Sequence, residues 1–348
     1  MRLRHQIVAL LAAIGVLLSG CSAKPAETLT VYSPGGLGDW YRAQFEKFTA
    51  ETGIKVTLFE AGSGEVVSRI NSPAVWQRLD SQPVPPADLL VTLPPFIQKA
   101  AKAGLLQSSG VDTAGISTGS LDPGGLFVPI VRTALCFIAS PSANPKPVTW
   151  DDLLRPDLTG KIQYSEPGQA GDGTALLLLL QHLKGKQGAL DYMAKLHANS
   201  VAPSTSTSVL QPKVANGEIL VANGDVQMNL AAINSGSQFS IFFPAAPDNT
   251  RTTVSLPYVA GVTAGSARPE AARNLLAFLL SDAVQRSVFT EAHGRPAREA
   301  IAAEMTAGGG PTSPTGILNG VTLWVPDWDT VLAELDTDIA DYTKAVGG

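Results

Sequence analysis

Cysteine is scarce in this chain of 348 residues, which contains only Cys21 and Cys136. Cys21 ends an N-terminal apolar segment, and Cys136 lies inside the apolar run 134–139. If Cys21 is modified, no intrachain disulfide can form, and the fold must be held by its hydrophobic cores. The apolar setting favours a buried, inert thiol over a nucleophile at Cys136.

Clusters of basic residues and long apolar runs are also missing. The net charge is −5, and lysine and arginine are dispersed along the chain. Without a basic patch we expect no nucleic-acid partner. The apolar run 7–18 is too short to span a bilayer, and no later run reaches spanning length.

Patterns typical of catalytic or metal centres are absent from the sequence. His182 and His197 fall in predicted helices without the spacing of a metal pair, and His293 precedes a helix stop. No HxxxH pattern occurs, and the loop Gly62-Ser63-Gly64 lacks the GxSxG form of a nucleophile elbow. We therefore predict no enzyme, no cofactor and no metal. A secreted phosphate-ester hydrolase is a remote alternative.

What the chain does have is an export signal. Two arginines precede the uncharged apolar run 7–18, which ends in Leu18-Ser19-Gly20-Cys21, a motif that resembles a bacterial lipobox. We predict that residues 1–20 are a cleaved signal peptide and that residues 21–28 are a tether lipidated at Cys21. The protein would then lie on the outer face of the cytoplasmic membrane, or in the periplasm, with lipid as its only membrane contact. The alternative is an ordinary signal peptide with a chance cysteine.

Strand and helix signals alternate through the first hundred residues, which predicts an α/β fold with a parallel sheet covered on both faces. The pattern restarts after residue 140, and two long apolar strands, 127–140 and 256–264, bracket this second part. We therefore expect two α/β lobes joined by crossover hinge strands around a cleft. The other predicted strands are 29–32, 55–60, 89–92, 161–164, 200–202 and 219–222. The predicted units are 29–130 (lobe 1, first part), 131–255 (lobe 2), 256–300 (return to lobe 1) and 301–348 (a C-terminal segment that packs on the lobes).

Short loops that contain glycine and hydroxyl residues follow the predicted strands. They are residues 33–36, 62–64 and 165–174, together with Thr92. An open α/β sheet binds its ligand at the carboxyl ends of the strands, where each of these loops opens a helix. Because glycine lets backbone N–H groups approach closely and a helix N-terminus favours an anion, the loops predict a site for a tetrahedral oxyanion. Alternatively, they are only turn and cap residues.

A run of five hydroxyl residues, 204–208, follows Pro203. It is a solvated loop, a helix cap or a wall of the ligand site from the second lobe, and we weigh these three alternatives about equally. In the third case Ser204 and Thr205 would face inward.

Motifs spread over nearly all of the chain after Cys21 resemble a known family. They are Thr30-Val31-Tyr32-Ser33, Glu51-Thr52-Gly53-Ile54-Lys55-Val56, Ala61-Gly62-Ser63-Gly64-Glu65, Trp150-Asp151-Asp152-Leu153-Leu154 and residues 271–280. Together they resemble the bacterial extracellular solute-binding proteins of ABC importers, in the branch that includes ferric-iron, thiamine and 2-aminoethylphosphonate binders. The resemblance implies a periplasmic-binding-protein-like type II fold, no enzymatic activity and ABC permease subunits as partners. We expect a monomer.

The same resemblance bears on the ligand. Residues 39–41, 62–65, 91–96 and 256–259 are most similar to the 2-aminoethylphosphonate binders. Iron binders of this branch carry adjacent tyrosines after the strand equivalent to 219–222, whereas this chain reads Asn223-Gly224-Asp225-Val226-Gln227-Met228-Asn229 there. One carboxylate is a poor donor set for ferric iron. A small phosphonate is thus favoured; the alternatives are thiamine, held between aromatic rings, ferric iron, or a structural envelope lipoprotein that binds nothing.

The predicted ligand-binding residues come from these loops and strand ends. They are Tyr32, Ser33, Gly35, Gly36, Gly62, Ser63, Gly64, Glu65, Thr92, Ser165, Gly173, Thr174, Ser204, Thr205, Asn223 and Tyr258. An aminoalkyl phosphonate also needs a partner for its ammonium, either an aromatic face or a carboxylate. The candidates are Tyr32, Trp40, Tyr164, Tyr258, Asp39, Glu65, Glu166 and Asp172, and the sequence does not choose between them.

Overall fold

The structure, a computed structural model, describes residues 27–80 and 85–347. The predicted signal peptide, Cys21 and nearly all of the tether lie outside the described residues. Among the residues described, no helix combines the length and the apolar character needed to cross a membrane.

The strands belong to one extended, mixed sheet. They are β1 (Thr28–Pro34), β2 (Lys55–Ala61), β3 (Leu89–Thr92), β4 (Leu106–Gln107), β5 (Phe127–Ala139), β6 (Ile162–Gln163), β7 (Val221–Asp225), β8 (Ser240–Phe242), β9 (Thr252–Thr263), β10 (Arg295–Pro296) and β11 (Thr322–Trp324). The main path through the sheet runs β2-β1-β3-β9-β5-β7-β6.

The helices cover this sheet. They are α1 (Gly38–Thr52), α2 (Ser63–Asn71), α3 (Pro73–Asp80), α4 (Phe96–Lys102), α5 (Gly171–Asn199), α6 (Leu210–Ala215), α7 (Val226–Asn234), α8 (Pro269–Leu279), α9 (Asp282–Thr290), α10 (Glu299–Ala307) and α11 (Trp328–Ala345). Short 3-10 turns lie at Thr118–Ser120, Asp151–Leu154, Pro156–Leu158, Thr207–Val209 and Gly316–Leu318. α5 is broken at Gly185, whose φ of 72° glycine adopts readily.

The first strand and helix show how the sequence builds these layers. The side chains of Tyr41, Phe45 and Phe48 recur at helical spacing in α1 and are buried against the sheet. Gly53 then ends the helix in the left-handed conformation, and its N–H donates to the Thr49 carbonyl oxygen at 2.8 Å.

The long strands β5 and β9 connect the two ends of the sheet. β1, β2 and β3 are parallel, as the strand-helix alternation predicts. β9 is antiparallel to β3 and β5, and the distal end of β5 is antiparallel to β7. Both long strands therefore pass from the part of the sheet around β1 to the part around β7, as predicted for crossover strands.

The predicted strands 200–202 and 219–222 differ from the structure. Residues 200–202 form no strand and contribute only an isolated bridge between Ile162 and Ser200. The strand predicted at 219–222 begins later, at Val221, and continues to Asp225. Its last residues are polar, but they are buried because their side chains find partners elsewhere in the chain. Apolar patterning cannot locate a strand end of that kind.

The C-terminal helix α11 packs against helices from both ends of the sheet, a choice that the sequence leaves open. Lys99 of α4 forms an ion pair with Asp336 at 2.7 Å. Lys186 of α5 forms one with Asp338, also at 2.7 Å. The hydroxyl groups of Tyr342 and Tyr164 are hydrogen-bonded at 2.9 Å.

Candidate functional site

A small cavity lies where the carboxyl ends of β1, β2 and β3 face the start of α5. Its volume is about 10 Å³, close to the space that one water molecule needs. The first wall consists of Pro34, Gly35, Ala61, Gly62, Ser63 and Leu93, and the second wall of Ala170, Gly171, Asp172, Ser206 and Thr207. Tyr258 of β9 completes the lining. This is the edge at which an open α/β sheet places its ligand.

The two walls approach each other at glycine residues. A Cβ atom on Gly62 would lie 2.5 Å from the carbonyl oxygen of Thr205, which is too close for any side chain. A Cβ atom on Gly35 would lie 2.6 Å from the Ser208 Oγ atom. The close contact of the walls therefore requires residues without a side chain at both positions.

Two helices begin at the cavity, one in each wall. α2 begins at Ser63 and α5 at Gly171, and neither helix has a side-chain cap. Their first-turn N–H groups therefore depend on other partners. One of them, the N–H of Gly64, donates to the Gln169 carbonyl oxygen across the two walls at 2.8 Å. The positive ends of both helix dipoles meet at the cavity and favour an anionic group there.

Two buried carboxyl groups lie beside the cavity. Asp172, in the first turn of α5, is 4% exposed, and Asp225, the last residue of β7, is fully buried. Asp225 accepts hydrogen bonds from the Tyr258 hydroxyl at 2.8 Å and from the Thr133 hydroxyl and the Met228 N–H, both at 2.9 Å. Asp225 thus caps α7 and fixes the Tyr258 ring that lines the cavity.

Burial changes the protonation of these groups. It raises the pKa of the Asp172 carboxyl to about 8, with a further rise from the Asp225 charge and an opposing hydrogen bond from Thr207. Burial also raises the pKa of Asp225, although hydrogen bonds from Met228 and Tyr258 act in the opposite direction. Burial and the Asp225 charge raise the pKa of the Tyr258 hydroxyl well above its ordinary value. Asp172 therefore titrates close to neutral pH.

The structure brings part of the predicted ligand set to this cavity. Gly35, Gly62, Ser63 and Tyr258 line it. Gly36 adjoins the lining, because a Cβ atom there would lie 2.5 Å from the Tyr258 hydroxyl. The predicted residues Gly64 and Thr205 lie at the contact between the walls described above. The binding roles of all these residues stay predictions.

Other predicted residues are hydrogen-bonded within the protein. Asn223 donates through Nδ2 to the Ser165 Oγ atom at 2.9 Å, and the Ser165 N–H donates to Asn223 Oδ1 at 2.8 Å. The Thr174 hydroxyl donates to the Ala170 carbonyl oxygen at 2.9 Å. The Thr92 hydroxyl donates to the backbone of the first wall at 3.1 Å. These side chains hold the walls in position and do not line the cavity.

The remaining predicted residues also lie outside the lining. The Tyr32 hydroxyl donates to the Pro85 carbonyl oxygen at 2.7 Å. The Glu65 carboxylate is paired with Arg69 at 2.7 Å. Ser33 is fully buried, and its hydroxyl donates to the next carbonyl oxygen along the chain. Gly173 packs against the backbone at residues 165–166.

The hydroxyl run 204–208 reaches the cavity two residues later than predicted. Ser206 and Thr207 line the cavity, whereas Thr205 is exposed and the Ser204 hydroxyl donates to the Ser206 carbonyl oxygen at 2.7 Å. The Ser204 N–H donates to the Tyr164 carbonyl oxygen at 3.0 Å, and the Ser204 carbonyl oxygen accepts from the Glu166 N–H at 2.7 Å, which fixes the start of the run beside β6. A run of like residues carries no periodic signal that could have identified these two members.

Sequence reasoning omitted several lining residues from the ligand set. Pro34, Ala61 and Leu93 adjoin predicted loops, but they carry no polar group that marks a site. Asp172 appears in the sequence analysis only as one of eight possible ammonium partners. Its burial, which singles it out, is visible only in the fold.

Two histidines of the described residues contact aromatic neighbours. His197 shares a hydrogen bond of 2.8 Å with the Tyr164 hydroxyl, and the exposed His182 stacks on Trp324 with ring centroids 4.2 Å apart. Within residues 27–80 and 85–347, no group of three or more His, Cys, Asp or Glu side chains could hold a metal ion. Cys136 is buried, as predicted, and burial raises the pKa of its thiol well above the ordinary value.

Comparison with known proteins identifies the family. The family described as "Bacterial extracellular solute-binding protein" matches residues 29–294, which is most of the chain. The chain belongs to this family. The predicted membership is confirmed, and with it the prediction that the protein is a solute-binding component of an importer and not an enzyme.

Individual relatives of this solute-binding protein are similar over almost their whole length. A Salmonella typhimurium protein named "Putative 2-aminoethylphosphonate-binding periplasmic protein" is 40% identical over 341 residues, which cover 96% of this chain and 97% of the relative. The relative of the same name from Salmonella typhi is 39% identical over the same length.

Solved structures confirm the predicted type II periplasmic-binding-protein fold of this solute-binding protein. The periplasmic binding protein AfuA from Actinobacillus pleuropneumoniae matches 92% of this chain and 98% of its own, with a TM-score of 0.74 and 18% identity. A periplasmic thiamin binding protein matches 96% of this chain and 100% of its own, with a TM-score of 0.74 and 20% identity. At these identities the likeness concerns the fold alone.

Proposed function

We propose that this solute-binding protein is periplasmic and captures a small phosphonate, 2-aminoethylphosphonate, in the cavity between the first and second walls, for delivery to an ABC permease. The observation that carries the proposal is the convergence of the α2 and α5 N-termini on one glycine-lined cavity. The names of the Salmonella relatives support the choice of ligand.

The proposed phosphonate site relies on neutral hydrogen-bond donors. The lining contains no lysine or arginine among the described residues, but it offers first-turn N–H groups and the Ser63 hydroxyl. The Ser206 and Thr207 hydroxyls also line the cavity, where Ser206 is hydrogen-bonded to Ser208 at 3.0 Å and Thr207 to Asp172. Each helix N-terminus favours an anion by about 0.3–1 kcal/mol when exposed, and by more in a partly buried site. Two such ends and several donors therefore suit an oxyanion that must later be released to a permease.

Ligand entry requires the two walls to separate. A cavity of about 10 Å³ cannot hold a phosphonate group. The hydrogen bond between Gly64 and Gln169 closes the walls, so we propose that an open form breaks it and that the ligand replaces it on closure. The predicted lobes, 29–130 with 256–300 and 131–255, would move about β5 and β9. The ligand drives closure only if it binds the closed form more tightly than the open form.

The lining argues against the alternative ligands. A thiamine ring held between aromatic faces needs two aromatic side chains, and Tyr258 is the single aromatic residue of the described lining. Ferric iron needs several hard anionic donors, and the lining supplies the one carboxylate of Asp172.

Isothermal titration calorimetry of residues 22–348 tests the ligand. We expect binding of 2-aminoethylphosphonate and no comparable signal from phosphate, thiamine or ferric citrate. The substitution Ser63→Ala should weaken phosphonate binding, whereas Ser142→Ala, at an exposed serine, should leave it unchanged. The absence of a binding signal with 2-aminoethylphosphonate, together with a signal with thiamine, would overturn the proposed function.

We also propose that Cys21 is acylated and anchors the protein to the membrane. The full chain expressed in a bacterial host should fractionate with the membranes, and the Cys21→Ser variant should be soluble or retain its signal peptide. A wild-type chain that is soluble after signal cleavage would refute the lipid anchor without affecting the proposed ligand.

A further inference from the structure

The Asp172 carboxyl group is buried beside the cavity with part of its hydrogen-bonding capacity unused. The side chain is 96% buried, and its Oδ1 atom has no hydrogen-bond partner among the described residues. Buried polar atoms of folded proteins are nearly always paired, so an orphan on a cavity wall points to a missing partner.

No residue that the structure describes supplies a cation to this carboxyl group. None of the ion pairs formed by the described residues includes Asp172 or its neighbour Asp225. Two acids therefore lie together in a desolvated site without a compensating charge, an arrangement that folded proteins rarely keep. A cationic ligand group would relieve it.

Of the two acids, Asp172 has the free acceptor. Both oxygens of Asp225 are occupied, Oδ1 by the Thr133 hydroxyl and the Met228 N–H, and Oδ2 by the Tyr258 hydroxyl. Asp172 lines the cavity and keeps Oδ1 unpaired. A cation in the cavity would therefore contact Asp172.

The other possible ammonium partners are engaged elsewhere, lie off the lining or carry no charge. The Tyr32 hydroxyl is hydrogen-bonded and the Glu65 carboxylate is ion-paired within the protein, as described above. Tyr258 lines the cavity, but its hydroxyl is bonded to Asp225 and its ring offers a cation only an uncharged face. The Trp40 indole donates to the Ser287 hydroxyl at 2.9 Å, and Asp39 pairs with Arg42 on the surface. The last two candidates, Tyr164 and Glu166, do not line the cavity.

The polar groups of the cavity also favour a zwitterion over a plain oxyanion. Phosphate or sulfate would be attracted by the ends of α2 and α5, but it would bring no cation to the buried Asp172 carboxyl group. A zwitterion satisfies both features, with its anionic end at the helix N-termini and its cationic end at the carboxylate.

We infer that Asp172 binds the primary ammonium group of a short aminoalkyl phosphonate and determines the selectivity of the site for aminated over non-aminated phosphonates. This inference rests on the proposed function. The raised pKa of Asp172 is consistent with it, because a buried carboxyl group without a cation keeps its proton, and it can release that proton to water and become a carboxylate when an ammonium group arrives.

The test compares two ligands that differ only in the ammonium group, 2-aminoethylphosphonate and ethylphosphonate. Calorimetric titrations use the wild type, Asp172→Asn and the control Asp88→Asn. Asp88 is an equally buried acid whose carboxylate accepts hydrogen bonds from the Thr30 N–H and the Ser266 hydroxyl and lies outside the lining. Asp172→Ser provides a second variant if the asparagine variant fails to fold.

In the wild type we expect 2-aminoethylphosphonate to bind at least tenfold more tightly than ethylphosphonate. Asp172→Asn should weaken 2-aminoethylphosphonate binding by tenfold to a hundredfold and leave ethylphosphonate binding unchanged or stronger, whereas Asp88→Asn should preserve the wild-type ratio. An equal loss for both ligands, or an unchanged ratio in the Asp172 variants, would overturn the inference. A wild type that binds neither phosphonate would instead refute the proposed function.

Discussion

The substitution Asp172→Asn should stabilise the ligand-free protein near neutral pH. It keeps the shape of the side chain and removes a carboxyl group that is 4% exposed and has an unpaired oxygen. The pKa of this group is about 8 in the folded protein, against an ordinary value of 3.8. The folded state therefore holds a proton that the unfolded state releases, and the stability contributed by this group falls as the pH rises from about 4 to about 8.

The magnitude follows from that difference. One pKa unit corresponds to about 1.4 kcal/mol. Because pH 7 lies about three units above the ordinary pKa of this carboxyl group, keeping it buried costs the wild type about 4 kcal/mol of folding free energy at that pH. The asparagine amide would itself be left partly unpaired, at a cost of about 1–3 kcal/mol. We expect a net gain of about 1–3 kcal/mol at pH 7 and no gain near pH 5. For a chain of this length the gain corresponds to a rise in Tm of about 2–6 °C.

Urea unfolding of the ligand-free protein, followed by circular dichroism at about pH 5, 6.5 and 8, measures this effect across the titration window. Asp88→Asn is the matched control, because it removes a carboxylate that accepts hydrogen bonds and should destabilise the protein at every pH. Parallel stability curves for the wild type and Asp172→Asn would show that the Asp172 proton is not linked to folding and would refute the reasoning.

Three further predictions concern the walls, the core and the C-terminal helix. Gly62→Ala should weaken 2-aminoethylphosphonate binding at least tenfold, because the added methyl group would lie 2.5 Å from the Thr205 carbonyl oxygen. Gly119→Ala, with open space around it, should not weaken binding, and equal affinities of the two variants would contradict the proposed closure. Cys136 should react with a thiol reagent only after unfolding in urea, because it is buried and its pKa is raised; labelling in the native protein would contradict this. Tyr164→Phe should lower the free energy of unfolding by about 1–2 kcal/mol through the loss of the bonds that link α5 to α11, and an unchanged urea midpoint would show that these bonds do not contribute.

The strands show which strand bounds the pattern of apolar residues can predict. β3 lies where the apolar run 89–92 predicts it, and the long strand β5 ends one residue before the predicted end. β9 begins four residues before its predicted start, at Thr252, because the buried Thr253 hydroxyl donates to the Leu135 carbonyl oxygen of β5 at 2.6 Å. That partner is 118 residues away along the chain, so no local pattern reports it.

The ligand site also combines features that the sequence predicts with features that only the tertiary structure shows. The sequence alone was enough to predict an α/β solute-binding protein with glycine loops at its strand ends, because strand alternation, helix starts and turns are local properties of the backbone. Only the tertiary structure decided which acids are paired. Asp338 is paired with Lys186, 152 residues away along the chain, while Asp172 is buried beside Asp225 without a cation among the described residues. Burial and pairing depend on residues that are distant in the sequence, and they determine the charge, the protonation and the proposed selectivity of the cavity.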